Sequence, residues 1–309
     1  MRPRALLAPL AAALVACLDP SSASNSPPSP APSVAPALTS WPTAAPYDLD
    51  ADVHMRASFA RSHWIDGADV IVQDGVFVLA GAAELRDVDD AAPRTHEALA
   101  ALLHGRFARL PSHAITVYVL HNHATFTRIC GERLGHECPP KWLGIWIKET
   151  REILVDQSLG PTSLVHELVH PMLENEAPTL PRWLREGISA LMEQPSIQGL
   201  EIHGTTNWRV ADLRRALASP TERELVHLDA LFRMPDDLFD GDHALAAYAV
   251  VRFACQWMDS AGQDRLWHFY QSWRDHVGDG ATGEKAFADV FGQSPHDADA
   301  AWQKWVRSL

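Results

Sequence analysis

A histidine-containing run near the middle of the chain has the spacing of a metal chelate. The run is His166-Glu167-Leu168-Val169-His170. On a helix, residues four apart lie one above the other on one face, so both imidazoles can reach one metal ion. Glu167 lies too far round the helix to be a ligand, but close enough to accept a proton from a water on the metal. We therefore predict that His166 and His170 are metal ligands and that Glu167 is a general base.

A second run downstream can complete the site. In Trp183-Leu184-Arg185-Glu186-Gly187, Glu186 offers a carboxylate from a second short helix, and a catalytic zinc needs a third protein ligand and an open position. Glu174 competes for this role, but a third ligand on the same helical stripe as His170 cannot surround the metal well. The alternative is a solvated histidine pair on a surface helix. We expect one Zn²⁺ ion held by His166, His170 and Glu186.

The two runs together resemble the motifs of a known family, the peptidase MA-like gluzincins. In these zinc peptidases an H-E-x-x-H helix is followed by a W-x-x-E-G segment that bears the third ligand. The likeness extends to Ala247–Arg252, to Gly262–Leu266 and to a helical tail from Ala286 to Trp305. It covers the chain from about Ile115 to the C-terminus and is strongest at the two motifs.

The resemblance implies a zincin-like fold and hydrolysis of peptide bonds. It also implies that Leu143–Ile147 is a sheet edge, which can pair with an extended substrate. Tyr248 and His203 are candidates to donate a hydrogen bond to the oxyanion, and Tyr248 is preferred because its helix resembles that of the family. Core packing is the alternative role for Tyr248. Pro171 departs from the family pattern, and we expect the helix to kink or end there.

The N-terminal residues have the layout of an export signal. Arg2 and Arg4 precede an apolar run too short to span a bilayer, so residues 1–16 are predicted to be a signal peptide. Leu14-Val15-Ala16-Cys17 resembles a bacterial lipobox, which implies that Cys17 is lipidated and anchors the protein at the cell envelope. An ordinary cleaved signal with an incidental cysteine is the alternative. Leu18 after the cysteine favours, by resemblance to lipoprotein sorting, the outer membrane.

Composition divides the chain further. Residues 17–46 carry the predicted lipidated cysteine and a linker rich in proline and serine, which cannot bury a core. Residues 47–309 are expected to form one catalytic domain, with a sheet-containing part at 47–177 and a helical part at 178–309. The formal charge is −13, and it becomes −15 without Arg2 and Arg4, because 24 basic residues then face 39 acidic ones. This charge disfavours nucleic acid as a partner.

The pattern of apolar residues predicts an α+β fold, with strands first and helices afterwards. A hairpin is expected around Asp74-Gly75, and a helix over Thr95–Phe107. The remaining expected elements are strands at Ala114–Leu120, Leu143–Ile147 and Glu152–Val155, a helix from Ala124, the metal-binding helix from Gly160-Pro161, and mostly helices after Pro181.

The cysteines allow two interpretations. In an exported protein, Cys130 and Cys138 are expected to form a disulfide that closes a short loop. They could instead join His121, His123 and His136 in a second metal site, but the spacing fits no common zinc module. A third cysteine, Cys255, lies in an apolar helix and is expected to be a buried, inert thiol, and most of the tryptophans are expected in the core (Trp142, Trp146, Trp183 and Trp257 among them).

These features together predict a lipid-anchored zinc metallohydrolase that acts as a peptidase on a peptide or protein substrate. Zinc would polarise the scissile carbonyl, and Glu167 would move the proton to the leaving amine. The alternative is a non-catalytic exported lipoprotein that uses the fold as a binding or scaffold module. Glu167 argues against it, because a scaffold has no use for a general base.

Overall fold

The computed structural model describes residues 46–64, 68–158, 162–260, 262, 264–276 and 283–309. The predicted signal peptide, Cys17 and nearly all of the predicted linker lie outside these residues. The predicted start of the metal-binding helix at Gly160-Pro161 lies outside them as well.

The described residues form a five-stranded mixed sheet in the order β1-β2-β3-β5-β4. The strands are β1 (Ala68–Gln73), β2 (Phe77–Ala82), β3 (Ile115–Leu120), β4 (Gly144–Ile147) and β5 (Glu152–Asp156). The three central strands run parallel, and β1 and β4 are antiparallel to their neighbours. The predicted edge segment therefore does lie at one edge of the sheet.

Burial follows the position of each strand. Every residue of β3 and β5 is buried, as expected for parallel strands covered on both faces, which are continuously apolar. The outer strand β1 is only half-buried. Asp74 and Gly75 join β1 to β2 with positive φ angles of 50° and 71°, the backbone that a tight hairpin turn requires. The predicted hairpin is confirmed.

The helices cover the sheet and form the C-terminal half. They are α1 (Leu49–Phe59), α2 (Asp87–Leu103), α3 (His123–Leu134), α4 (Thr162–Glu176), α5 (Arg182–Leu191), α6 (Val210–Ala218), α7 (Leu228–Leu231), α8 (Ala244–Ser260), α9 (Arg265–His276), α10 (Gly283–Phe291) and α11 (Pro295–Val306). A small antiparallel hairpin, β6 (Pro195–Gln198) with β7 (Glu201–Gly204), interrupts them. Short 3₁₀ or π turns occur at Ala60–Trp64, Ala83–Leu85, Arg223–Val226 and Asp236–Phe239. The predicted α+β class is confirmed.

Helix α2 begins eight residues before the predicted Thr95 and ends before Phe107. The prediction followed the spacing of three leucines, whereas the first turns bury alanines and Val88 instead. Acidic residues in the first turn favour a helix start at Asp87, because they complement the helix dipole. The helix ends before Gly105, whose φ of 83° is incompatible with a right-handed helix.

Of the two outcomes expected at Pro171, a kink or the end of the helix, the end is wrong. Helix α4 continues through this proline to Glu176. Proline removes one helical hydrogen bond, but the following turn is fixed by tertiary contacts. The Glu176 carboxylate accepts a hydrogen bond from the backbone N–H of Ala108 at 2.6 Å, and Asn175 accepts one from Ser112 at 3.1 Å. These contacts, with fully buried neighbours at residues 172 and 173, hold the helix together.

Two features of the helical half fix the position of α5. The Trp183 ring packs against Phe232 at 5.3 Å and against Trp273 at 6.0 Å between ring centroids. On another side, Gly187 lets α8 approach closely, since a Cβ atom there would lie 2.7 Å from the Cys255 sulfur. Helix α5 is therefore held from two directions, and Glu186 lies between these two contacts.

Cys130 and Cys138 are joined in a disulfide between the last turns of α3 and the loop that follows. Cys255 is a buried free thiol, as expected, and burial raises its pKa. Trp142 and Trp183 are buried, whereas Trp146 and Trp257 are partly buried and pack against the core. In the described part of the chain, every helix is too short or too polar to cross a bilayer.

Removing the disulfide should lower the free energy of unfolding. The bridge spans 8 residues, and a loop of that size constrains the unfolded chain by about 2–3 kcal/mol. We expect the double variant Cys130→Ala/Cys138→Ala to lose this amount in chemical denaturation, and reduced wild-type protein to behave like the variant. Two free thiols in protein taken from an oxidising compartment would contradict the pairing.

Candidate metal centre

Three buried side chains from two helices converge on one point. His166 and His170 come from α4 and Glu186 from α5, and one donor atom of each lies within 4.8 Å of the others. The Oε2 atom of Glu186 is 3.9 Å from Nε2 of His166 and 3.9 Å from Nε2 of His170. The helical spacing places the two imidazole rings 4.9 Å apart between centroids. The predicted pair of histidines and the predicted glutamate are thus brought together.

The donor set fits a zinc ion. Two imidazole nitrogens and one carboxylate oxygen are the ligands of many catalytic zinc sites. Glu186 Oε2 is buried and accepts no hydrogen bond from the described residues, although a buried carboxylate oxygen normally has a partner. A cation bound between the three side chains would satisfy this oxygen. The chemistry of the donors and the position of the Glu186 oxygen therefore both favour a cation between the three side chains.

Burial sets the charge of the three groups. It lowers the pKa of both imidazoles well below 6.5, and nearby positive charges lower it further. The histidines are therefore neutral, as metal-binding imidazoles must be. Burial also raises the pKa of the Glu186 carboxyl to about 7, against the opposing charges of Arg182, Arg185 and Arg209. A divalent cation would favour the ionised carboxylate.

A second layer of buried polar residues lies behind His166. Its Nδ1 atom lies 3.6 Å from Oε1 of Glu193, and both side chains are fully buried. Glu193 accepts hydrogen bonds from Arg209 Nε at 2.8 Å and from Asn207 Nδ2 at 3.0 Å. A carboxylate at Nδ1 favours the tautomer that carries its proton there, which leaves the Nε2 lone pair for a metal.

The other two candidate ligands have partners as well. Nδ1 of His170 lies 3.5 Å from the hydroxyl oxygen of Ser189. Arg182 Nε is 3.8 Å from Oε1 of Glu186, and the same guanidinium donates two hydrogen bonds to Asp240 at 2.6 and 2.7 Å. One oxygen of Glu186 thus faces Arg182, which its hydrogen bonds to Asp240 hold in place, and the other oxygen faces the two histidines.

Glu167 lies between the metal group and the edge of the sheet. A Cβ atom on Gly144 would be 2.6 Å from Oε1 of Glu167 and 2.8 Å from its Cγ. Real Cβ atoms essentially never make contacts this short, so any larger residue at 144 would require the Glu167 side chain to shift. The candidate base is therefore in contact with the strand expected to bind substrate.

Glu174, the competing third ligand, is engaged elsewhere. It accepts a hydrogen bond from the Trp146 indole N–H at 2.9 Å and pairs with the Lys148 ammonium. These contacts lie on β4 and its C-terminal end, one helical turn beyond His170. Glu174 is not in the group formed by the histidines and Glu186.

The two candidate oxyanion donors occupy different surroundings. Tyr248 is fully buried, with its ring against Phe239 at 5.2 Å and under the Arg209 guanidinium at 5.1 Å. Its catalytic role stays a prediction, and these contacts favour core packing behind Glu193. The His203 side chain is half-exposed and its Nδ1 lies 3.3 Å from Asp259 on α8.

The residues of the alternative second metal site are kept apart. His121 pairs with Asp87 at 3.1 Å and His123 pairs with Asp156 at 2.8 Å. The two cysteines are consumed by the disulfide. Within the described ranges, the group at His166 is the one that could hold a metal ion.

Sequence analysis missed Glu193 and Arg209. The available signal was weak, since Glu193 is a single acidic residue directly after the apolar Leu191-Met192 and seven residues beyond Glu186. Glu193 lies just after the end of α5 and contacts His166 on α4, and no sequence spacing encodes a contact between such separate segments.

No protein-family model matches the sequence, and no curated protein matches it either.

We predict that Glu193 strengthens metal binding by orienting His166. The isosteric variant Glu193→Gln removes the negative charge that favours the Nδ1 proton, so zinc affinity should fall roughly 10- to 100-fold. Chelator competition measures the affinity, and circular dichroism of the apo-protein verifies that the variant is folded. Glu97→Gln, an exposed glutamate on α2, is the matched control. Equal affinities for the two folded variants would contradict the proposed orientation.

Proposed function

We propose that the protein is a zinc-dependent metallohydrolase, a peptidase of the gluzincin type. The observation that carries this proposal is the buried group of His166, His170 and Glu186 with Glu167 beside it, against β4 at the edge of the sheet. The motifs of the sequence support the same assignment. Peptide hydrolysis needs a polarised carbonyl, an activated water and a proton carrier, and these residues can supply each of them.

Each residue of the site has a separate role in the proposed hydrolysis. His166, His170 and Glu186 would hold the zinc ion, which supplies Lewis-acid chemistry and lowers the pKa of water. Glu167 accepts the proton of the attacking water and passes it to the leaving amine. Glu193 and Ser189 would orient the imidazoles from their Nδ1 sides. Gly144 leaves room for the Glu167 carboxylate at the substrate.

The backbone of β4 can bind an extended peptide. Leu143 accepts a hydrogen bond from the N–H of Asp156 at 2.7 Å, and in an antiparallel pair such bonded positions alternate with positions whose N–H and C=O point outwards. The register then directs the polar backbone groups of Gly144 and Trp146 to the outer edge. Among the described residues no strand pairs with that edge. A peptide added there would pass directly over Glu167.

A metal-stabilised scaffold without catalysis is the second candidate. The full burial of His166 and Glu167 favours it, because structural zinc sites are closed to solvent. Zinc content does not separate the two functions, whereas turnover of a peptide library does.

Separate substitutions distinguish the base from the third ligand. Glu167→Gln should retain zinc and lose activity by roughly 10²–10⁴-fold, the usual contribution of a positioned base. Glu186→Ala should instead weaken zinc binding, so that activity depends on added metal. Metal analysis and peptide-library cleavage on the region from Tyr47 measure both effects.

Glu174→Ala is the control for metal retention, because its carboxylate contacts Trp146 and Lys148. If it released zinc while Glu186→Ala did not, the third ligand would be wrongly assigned. If Glu167→Gln cleaved peptides at the wild-type rate, Glu167 would not be the general base and the proposed mechanism would be excluded.

We further propose that Cys17 anchors the protein to a membrane through a lipid. Cys17→Ser should block processing or release the protein from the membrane fraction, because one thiol carries the attachment. Fractionation and intact mass measure the two effects, and Ser26→Ala in the linker is the control. Membrane association and processing that survive Cys17→Ser would exclude this anchor.

A further inference from the structure

Arg182 is an unfavourably placed positive charge. It is the first residue of α5, and its side chain is only 3% exposed. A cation in the first turn of a helix faces the positive end of the helix dipole, and a buried charge without partners is costly. The first turn of α5 contains no acidic residue. The groups that compensate this charge therefore come from outside that turn.

A short segment before α8, residues 236–240, supplies several of these groups. The Asp240 carboxylate accepts hydrogen bonds from both terminal nitrogens of Arg182 at 2.6 and 2.7 Å, and the carbonyl oxygen of Asp236 accepts one at 3.0 Å. The Phe239 ring centroid lies 5.2 Å from the guanidinium carbon. The paired bonds to Asp240 match the planar fork of the guanidinium, and this match fixes its orientation.

The segment is itself fixed to the core through Phe239. The Phe239 ring is buried and packs against Tyr248 on α8, with 5.2 Å between the ring centroids. The Asp240 side chain, in contrast, is 34% exposed. Asp240 is therefore held at Arg182 by its neighbour in the chain, and its side chain can be replaced without changing the composition of the buried packing.

From Arg182 the contacts continue to the candidate third ligand. Residues 182 and 186 are four apart and share one face of α5, and the Arg182 Nε atom pairs with Oε1 of Glu186 at 3.8 Å. Oε2 of the same carboxylate lies 3.9 Å from Nε2 of each histidine. A carboxylate is planar and rigid, so the position of one oxygen sets that of the other. An arginine held by Asp240 thus favours the orientation in which Oε2 faces the imidazoles.

We propose that Asp240 is a positioning residue for the metal centre. It holds the Arg182 guanidinium, and Arg182 in turn holds the Glu186 carboxylate with Oε2 directed at the two histidines. The proposal rests on the proposed function, because it assigns Glu186 as a metal ligand. It adds a residue that lies 58 positions beyond Arg182 in the sequence and outside both motifs.

Zinc affinity tests this role. Asp240→Asn keeps the shape of the side chain but removes its charge and one acceptor, so zinc should bind roughly 10- to 100-fold more weakly, the usual effect of losing a group that orients a metal ligand. Chelator competition measures the affinity, and circular dichroism of the apo-protein verifies the fold. Asp237→Asn is the matched control, because Asp237 is an exposed carboxylate in the same segment. Equal affinities for the two folded variants would overturn the positioning role.

A spectroscopic measurement separates ligand orientation from general stability. The visible spectrum of bound Co²⁺ reports the arrangement of its ligands, whereas a loss of folding stability alone does not change it. The spectrum of Asp240→Asn should differ from that of the wild type, and the spectrum of Asp237→Asn should match it. Asp240→Glu keeps two acceptors for the guanidinium, so it should restore both the affinity and the spectrum. An unaltered spectrum in Asp240→Asn, or no recovery in Asp240→Glu, would contradict the role.

A double variant tests whether Asp240 acts through Arg182. Arg182→Gln removes the intermediate charge and should weaken zinc binding by a similar factor. In that background, Asp240→Asn should cause no further loss, because the effects of residues in one chain of contacts are not additive. A full additional loss in the double variant would exclude the route through Arg182.

Affinity and turnover are measured separately, which keeps the positioning role and the peptidase function distinguishable. If the wild type binds zinc with the expected dependence on Asp240 but cleaves no peptide of the library, the peptidase function fails and the positioning role stands. If the wild type cleaves peptides and Asp240→Asn binds zinc as tightly as Asp237→Asn, the function stands and the positioning role fails. A wild-type protein that binds no zinc would exclude both.

Discussion

The burial of ionisable groups is the constraint on which this structure depends. His166, Glu167, Glu186, Glu193 and Arg209 all lie in the interior, where an uncompensated charge costs several kcal/mol. Each charge therefore needs a partner at close range. Arginine supplies it for Glu193, and two neutral imidazoles meet the free oxygen of Glu186. The proposed cation would complete this set of charges.

The need for a close partner for each buried charge explains why the candidate centre is built from two helices that different parts of the fold hold in place. Helix α4 lies against β4 and β5, which fixes the histidines relative to the sheet. Helix α5 is held by an aromatic cluster around Trp183 and by the close approach of α8 at Gly187. Packing therefore fixes both helices that carry the carboxylate and the imidazoles.

The same packing relates the candidate metal centre to the sheet edge. Gly144 brings β4 into contact with Glu167, and Trp146 and Lys148 continue that contact to Glu174. A sheet edge normally exposes unpaired backbone groups, which can accept an additional strand.

The sequence by itself determined the features that depend on local periodicity. The spacing of His166 and His170 predicts their common helical face, the apolar runs predict the strands, and Asp74-Gly75 predicts the hairpin turn. Tertiary structure decided the features that depend on contacts between distant segments. Because of tertiary contacts, α4 continues beyond Pro171, Glu174 contacts β4, and Glu193 lies behind His166. The period of a helix depends on residues that are close in sequence. The partner of a buried charge depends on which distant segment packs beside it in the folded protein.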